Sequence, residues 1–121
     1  MKIFVAHSSN FDFRKKLYAP LRESVLNTEH EIVLPQEAEI EEITRDMIQG
    51  CDVLVSEVSA PSLGAGIEMG WADVFGVPVV AMYEKDAKVS FSIDNVVTKK
   101  IEYESSEDML NKLKAVLATL K

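Results

Sequence analysis

The chain has little of several things: one cysteine, one tryptophan, two histidines, four prolines and five glycines in 121 residues, and a shortage of positive charge. The lone Cys51 excludes an intramolecular disulfide and reads as a small buried hydrophobe. No apolar run approaches the ~20 residues that a membrane span needs, and no charged-then-apolar signal segment opens the sequence. A soluble, cytoplasmic protein is therefore the expectation. Thirteen Lys and Arg against twenty Asp and Glu give a formal net charge of -7, which argues against holding a nucleic-acid polymer or an anionic membrane by bulk electrostatics. A small anionic ligand would have to be held by local groups. There is neither an internal repeat nor a low-complexity segment. A chain of this size buries roughly 65% of the surface its unfolded form exposes, so a single domain over residues 1–121 is expected to hold a core without staples.

What is present alternates between two patterns. Residues 2–6, 31–34, 52–58, 78–83 and 100–103 are short apolar or β-branched runs and read as strands, continuous enough in their apolarity to be covered on both faces. Residues 11–27 read as a helix with Phe13, Leu17, Leu21 and Val25 on one stripe, Ser9 or Asn10 as its cap, and a kink or an irregular turn at Pro20. Residues 35–50 are helix-compatible, with Ile40, Ile43, Met47 and Ile48 carrying the pattern to a stop at Gly50. A further helix spans residues 63–75, and a last one opens at Ser105 with Leu110, Leu113, Leu117 and Leu120 as its buried stripe. Residues 89–93 fit either strand or loop.

Strands separated by helical segments imply right-handed crossovers. The expected fold class is α/β, a flavodoxin/Rossmann-like doubly wound sheet of five parallel strands in the order 2-1-3-4-5 with helices on both faces. In that order ligands bind beyond the carboxyl ends of the first and third strands, which here are His7-Ser8-Ser9 and residues 59–62.

A helix opening at Ser62 with Gly64 and Gly66 in its first turn offers free backbone N–H groups, a positive dipole end and an unobstructed approach. Glu68 follows about two turns in. An anion site beside an acid points to chemistry on a phosphorylated or sugar-containing small molecule. Each of these residues also has a plainer reading: Ser62 as a helix cap, His7 as a hydrogen-bonded residue at a strand end, Trp71 as an interface residue, and Arg14, Lys15 and Lys16 as a solvated helix face. The dinucleotide reading of Gly64-x-Gly66 fails, because the glycines follow the third strand and no acid is placed at the end of the next one.

The string SEVSAPSLGAGIEMG resembles the segment of the nucleoside 2-deoxyribosyltransferase superfamily that carries its catalytic glutamate. It is most similar to the 2'-deoxynucleoside 5'-phosphate N-hydrolase branch, with Glu57, Val58, Pro61, Ser62, Leu63, Gly64, Gly66, Glu68 and Gly70 matching the pattern. The resemblance implies that Glu68 attacks the anomeric carbon of a deoxyribose and displaces the base, and that Ser62 and the helix start hold a 5'-phosphate. It implies no cofactor and no metal, a nucleoside or nucleotide as ligand, and a homodimer or higher even oligomer in which Ser92 or Ser90 approaches a neighbour's phosphate site. Two departures stand out. Phe4 occupies the position of a family tyrosine whose hydroxyl orients the glutamate, with His7 available as a substitute donor. Thr44 occupies the position of a family aspartate, with Asp46 two residues on. Together with Ser8 and Ser9 of the first loop, these complete the candidate set. Two other readings compete: a TIR-like NAD glycohydrolase, because FVAHSS ahead of a helix resembles the opening of TIR domains, and a nucleotide-binding module without turnover.

Overall fold

A computed structural model describes residues 1–38 and 42–120. Its strands are β1 (Lys2–His7), β2 (Glu31–Val33), β3 (Val53–Glu57), β4 (Val79–Glu84) and β5 (Lys99–Tyr103), all parallel in one sheet ordered β2-β1-β3-β4-β5. The expected order is the observed one. Side chains alternate across the pleat, so the sheet feeds two apolar cores. Ile3, Val5, Val53 and Val55 face one layer of helices, packing on Leu17, Tyr18, Leu21, Leu26, Leu113 and Leu117. Phe4, Ala6, Leu54 and Ala81 face the other, packing on Ile48, Ala65, Met69 and Ala72. Each fully buried aliphatic side chain contributes roughly 1.5–3 kcal/mol to holding its layer on the sheet.

The first helical segment differs from the single helix predicted over residues 11–27. It comprises a π-helical turn (Arg14–Tyr18), then α1 (Ala19–Glu23) and α2 (Leu26–Glu29), with Ser24 extended between them. Pro20 has no N–H to continue the ladder, and the turn ahead of it is widened so that the Ala19 N–H reaches back to the Arg14 carbonyl. Beyond the break Val25 is 49% exposed and Leu26 enters the core in its place. Neither Ser9 nor Asn10 caps this segment; the Asn10 N–H instead donates to Ser8 Oγ.

The helix predicted over residues 35–50 is reduced to α3 (Arg45–Gln49), ended at Gly50 as expected. Residues 35–38 form a turn, and Ile40 lies outside the described residues. The central helix α4 (Leu63–Val74) begins at Ser62, and Gly76 takes a positive φ of 72° to turn the chain back toward β4. The ambiguous stretch 89–93 is loop at its start and then enters a short 3-10 helix (Phe91–Asn95). Helix α5 (Ser106–Thr119) is capped by Ser105, with Met109, Leu113 and Leu117 buried and Leu110 and Leu120 at the edges of the stripe. No helix among the described residues is long and apolar enough to cross a membrane.

Candidate active site

The reversal of strand order between β1 and β3 opens a cavity of about 220 Å3 at the carboxyl ends of the strands. His7, Ser9, Pro35, Gln36, Ser62 and Glu68 line it. A second cavity, of about 310 Å3, lies on the other side of the α4 start and is lined by Gly66, Lys88, Ser90 and Ser92 among others. Ser62 and Ala65 belong to both.

Ser62 is extended (φ -150°, ψ 121°), and its Oγ accepts the Ala65 N–H at 3.1 Å. This is the geometry of a helix cap, and it leaves the N–H groups of Leu63 and Gly64 without an intrahelical partner. A Cβ on Gly64 would sit 3.8 Å from Glu68 Oε2 and 3.9 Å from Ser62 Oγ. Gly64 therefore keeps the space between the serine and the carboxylate open.

Glu68 is 8% exposed, and among the described residues its carboxylate makes no hydrogen bond. Burial without a donor disfavours the charge and pushes its pKa up to about 7. The carboxyl is therefore close to half protonated at neutral pH, because desolvation is unopposed.

His7 is also buried, stacked on Phe13 with ring centroids 4.2 Å apart. A backbone carbonyl can only accept, so Nδ1 carries the proton and donates to the Ser8 oxygen at 3.1 Å. Nε2 then accepts from the Tyr18 hydroxyl at 2.7 Å, and the same hydroxyl oxygen accepts the Gln36 N–H at 3.2 Å. His7 is therefore neutral. Its pKa is lowered by burial, with the charge of Arg14 adding to the effect and the Ser8 carbonyl opposing it. Both nitrogens are committed, so His7 does not stand in as a donor to Glu68.

The remaining candidates separate. Ser9 lines the first cavity, while Ser8 is 2% exposed and serves the turn through its Oγ and carbonyl. Phe4 is 1% exposed within the apolar layer under α4 and reaches neither cavity. Asp46 stands apart: α3 turns Ile48 into the core, which leaves Asp46, two residues earlier, on the exposed side and outside the lining of the cavity. Ser92 and Gly66 join Ser62 in the second cavity rather than the first.

Sequence reasoning missed Tyr18, Gln36 and Lys88. Tyr18 adjoins the apolar stripe and gives no polar signal of its own. The role of Glu57 was also illegible. Its buried carboxylate accepts the Ser59 N–H (2.6 Å), the Ser59 hydroxyl (3.0 Å) and the Tyr103 hydroxyl, while Ser59 Oγ accepts the Glu84 N–H (2.7 Å). This network ties the loop ahead of Ser62 to β4 and β5. Burial pushes the Glu57 carboxyl above the usual range, and the hydrogen bonds partly offset that.

In its central motif the chain resembles the nucleoside 2-deoxyribosyltransferase superfamily, and comparison with known proteins points to the same class. No family model matches it. Over 74 residues it is 35% identical to a Syntrophotalea carbinolica protein provisionally named 2'-deoxynucleoside 5'-phosphate N-hydrolase 1. That match takes in 59% of this chain and 52% of the relative, so the chain spans about half the length of the curated protein it matches. Two solved structures share the fold. Clostridium botulinum CMP N-glycosidase BcmB is 21% identical with a TM-score of 0.70, covering 94% of this chain and 99% of that one. The 2-deoxyribosyltransferase of Bacillus psychrosaccharolyticus is 18% identical with a TM-score of 0.64, covering 90% of each chain.

Proposed function

We propose that this chain is an enzyme that cleaves, or transfers at, the N-glycosidic bond of a 2'-deoxynucleoside 5'-monophosphate. The observation that carries the reading is a buried carboxylate, Glu68, sharing a cavity with the capped N-terminus of its own helix at Ser62. The names of the sequence relative and of the two structural neighbours support the same class of reaction.

In the scheme, the ionised Glu68 carboxylate forms a bond to the anomeric carbon while the bond to the base breaks. The base leaves with the electron pair and takes up a proton from solvent, and a sugar ester remains on the protein. Water, or a second base, then attacks the same carbon and restores the carboxylate. Ser62, whose Oγ already accepts from Ala65, keeps its own O–H to donate to the 5'-phosphate, and the free N–H groups of Leu63 and Gly64 add to that hold. The scheme calls on no metal or cofactor. Its test is to incubate the pure protein with the four deoxynucleoside monophosphates and with NAD and to look for free base. Release from a monophosphate supports the proposal. Release from NAD alone favours the TIR-like reading, and release from neither leaves a binding module.

We further infer assembly as a homodimer or higher even oligomer. Leu63, Ile67 and Val74 are 84%, 45% and 80% exposed along one side of α4, and a Cβ added at Gly66 or Gly70 on that helix would meet nothing within 4 Å. An exposed apolar stripe interleaved with glycines suits close contact with a second copy.

A further inference from the structure

We propose that Lys88 reads the charge of the substrate and makes the chain select a 5'-phosphorylated ligand over the bare nucleoside. The inference rests on the function proposed above and adds to it a residue that no sequence signal marks.

A 5'-monophosphate carries about -1.5 to -2 charges at neutral pH, and this chain, at -7, repels it as a whole. Some local cation has to offset that. Among the described residues Lys88 is the one lysine or arginine that lines either cavity, and it lines the one that shares Ser62 with the Glu68 cavity. Several other cations are engaged elsewhere: Lys16 pairs with Glu84, Arg22 with Glu37, Lys85 with Glu104 and Lys100 with Asp94. Arg14 donates to the Glu37 carbonyl. Among the described residues Lys88 makes no ion pair or hydrogen bond, so its ammonium is available to a ligand.

The hydroxyls around it are available in the same sense. Ser90 Oγ accepts the Ser92 N–H, as Ser62 Oγ accepts the Ala65 N–H, and each retains its own O–H to donate. The one acid lining that cavity among the described residues, Glu57, has both oxygens occupied by Ser59 and Tyr103 and is not left to pair with the lysine. An ammonium and serine hydroxyls, donors all, match the oxygens of a phosphate.

The test compares kcat/KM for a deoxynucleoside 5'-monophosphate with that for the matching nucleoside, in the wild type, Lys88→Gln and Lys88→Arg. In Lys88→Gln the ratio of the two should fall about five- to tenfold, through KM for the phosphorylated substrate with kcat kept, and Lys88→Arg should restore most of it. Added salt should erode the wild-type preference and leave that of Lys88→Gln nearly level. A wild type that turns over the monophosphate while Lys88→Gln keeps the full ratio overturns this inference alone. A wild type that releases base from neither substrate overturns the proposed function and this inference together.

Discussion

The Tyr18 hydroxyl donates a hydrogen bond to Nε2 of His7 at 2.7 Å, and this bond fixes the state of the histidine that shares a cavity with Glu68. With Nδ1–H pointed at the Ser8 carbonyl, no proton on the ring is free. His7 therefore offers Glu68 neither a charge nor a donor, and burial alone pushes the carboxyl up to about 7. Tyr18→Phe should leave both Nε2 and the Gln36 N–H without a partner and cost about 1–3 kcal/mol of stability, checked by urea unfolding.

Replacing Glu68 by Gln keeps the volume and removes the nucleophile. Binding of a monophosphate should survive, base release should fall by several orders of magnitude, and the wild type alone should show a sugar-sized mass adduct. Turnover of the variant at the wild-type rate would remove the scheme.

The same carboxyl ties stability to pH. Unfolded, it titrates near its ordinary 4.5; folded, near 7. Below the lower value both states hold the proton. Between the two the unfolded chain has lost it and the folded one keeps it, and above the upper value the buried charge costs its full amount. Folding therefore weakens as pH rises through this window, on the order of 2 kcal/mol after allowance for the open cavity mouth. Glu68→Gln should raise the melting temperature at pH 8 and leave it nearly unchanged at pH 4. The wild-type kcat/KM should climb with pH through about 7, as the attacking form appears.

Ser62→Ala removes a cap and a phosphate donor together. The cap costs about 1 kcal/mol of stability, while the lost donor should weaken monophosphate binding roughly thirtyfold and spare the nucleoside. Titration calorimetry with both ligands separates the two effects; equal loss for both would reduce the serine to a cap.

Gly64→Ala is the steric counterpart. The added methyl finds ordinary van der Waals distances, so the fold should hold and gain up to about 1 kcal/mol of helix propensity. It would nevertheless stand between Ser62 and Glu68, and turnover should fall with stability intact. A variant as active as the wild type would show that the substrate does not pass this gap.

The strands and their order were legible because β-branched runs between helical stretches admit few topologies, and Pro61-Ser62-Leu63-Gly64 with Glu68 marked the helix that ends up lining the cavity. Other features were not. The short α3 and the outward Asp46 depend on how the chain after β2 packs, which its acidic helix-compatible composition did not reveal. The charge state of Glu68 depends on neighbours drawn from β1, α4 and the loop after β2, so no local pattern encodes it. The Tyr18–His7 bond depends on a change of winding, and a uniform spacing of 3.6 residues assigns the stripe without it.

That winding carries a consequence of its own. A π turn accommodates one residue more than the α-helix around it, so the Arg14–Tyr18 segment behaves as a built-in insertion. Deleting one residue there would rewind the segment into regular α-helix and swing the side chains ahead of the deletion through about 100° relative to those after it. Tyr18 and His7 would lose their alignment although neither had been changed. Chains of this architecture that differ by a single residue in that turn should therefore differ in the polarity of the wall opposite their glutamate, a divergence that a substitution-by-substitution comparison of site residues would miss.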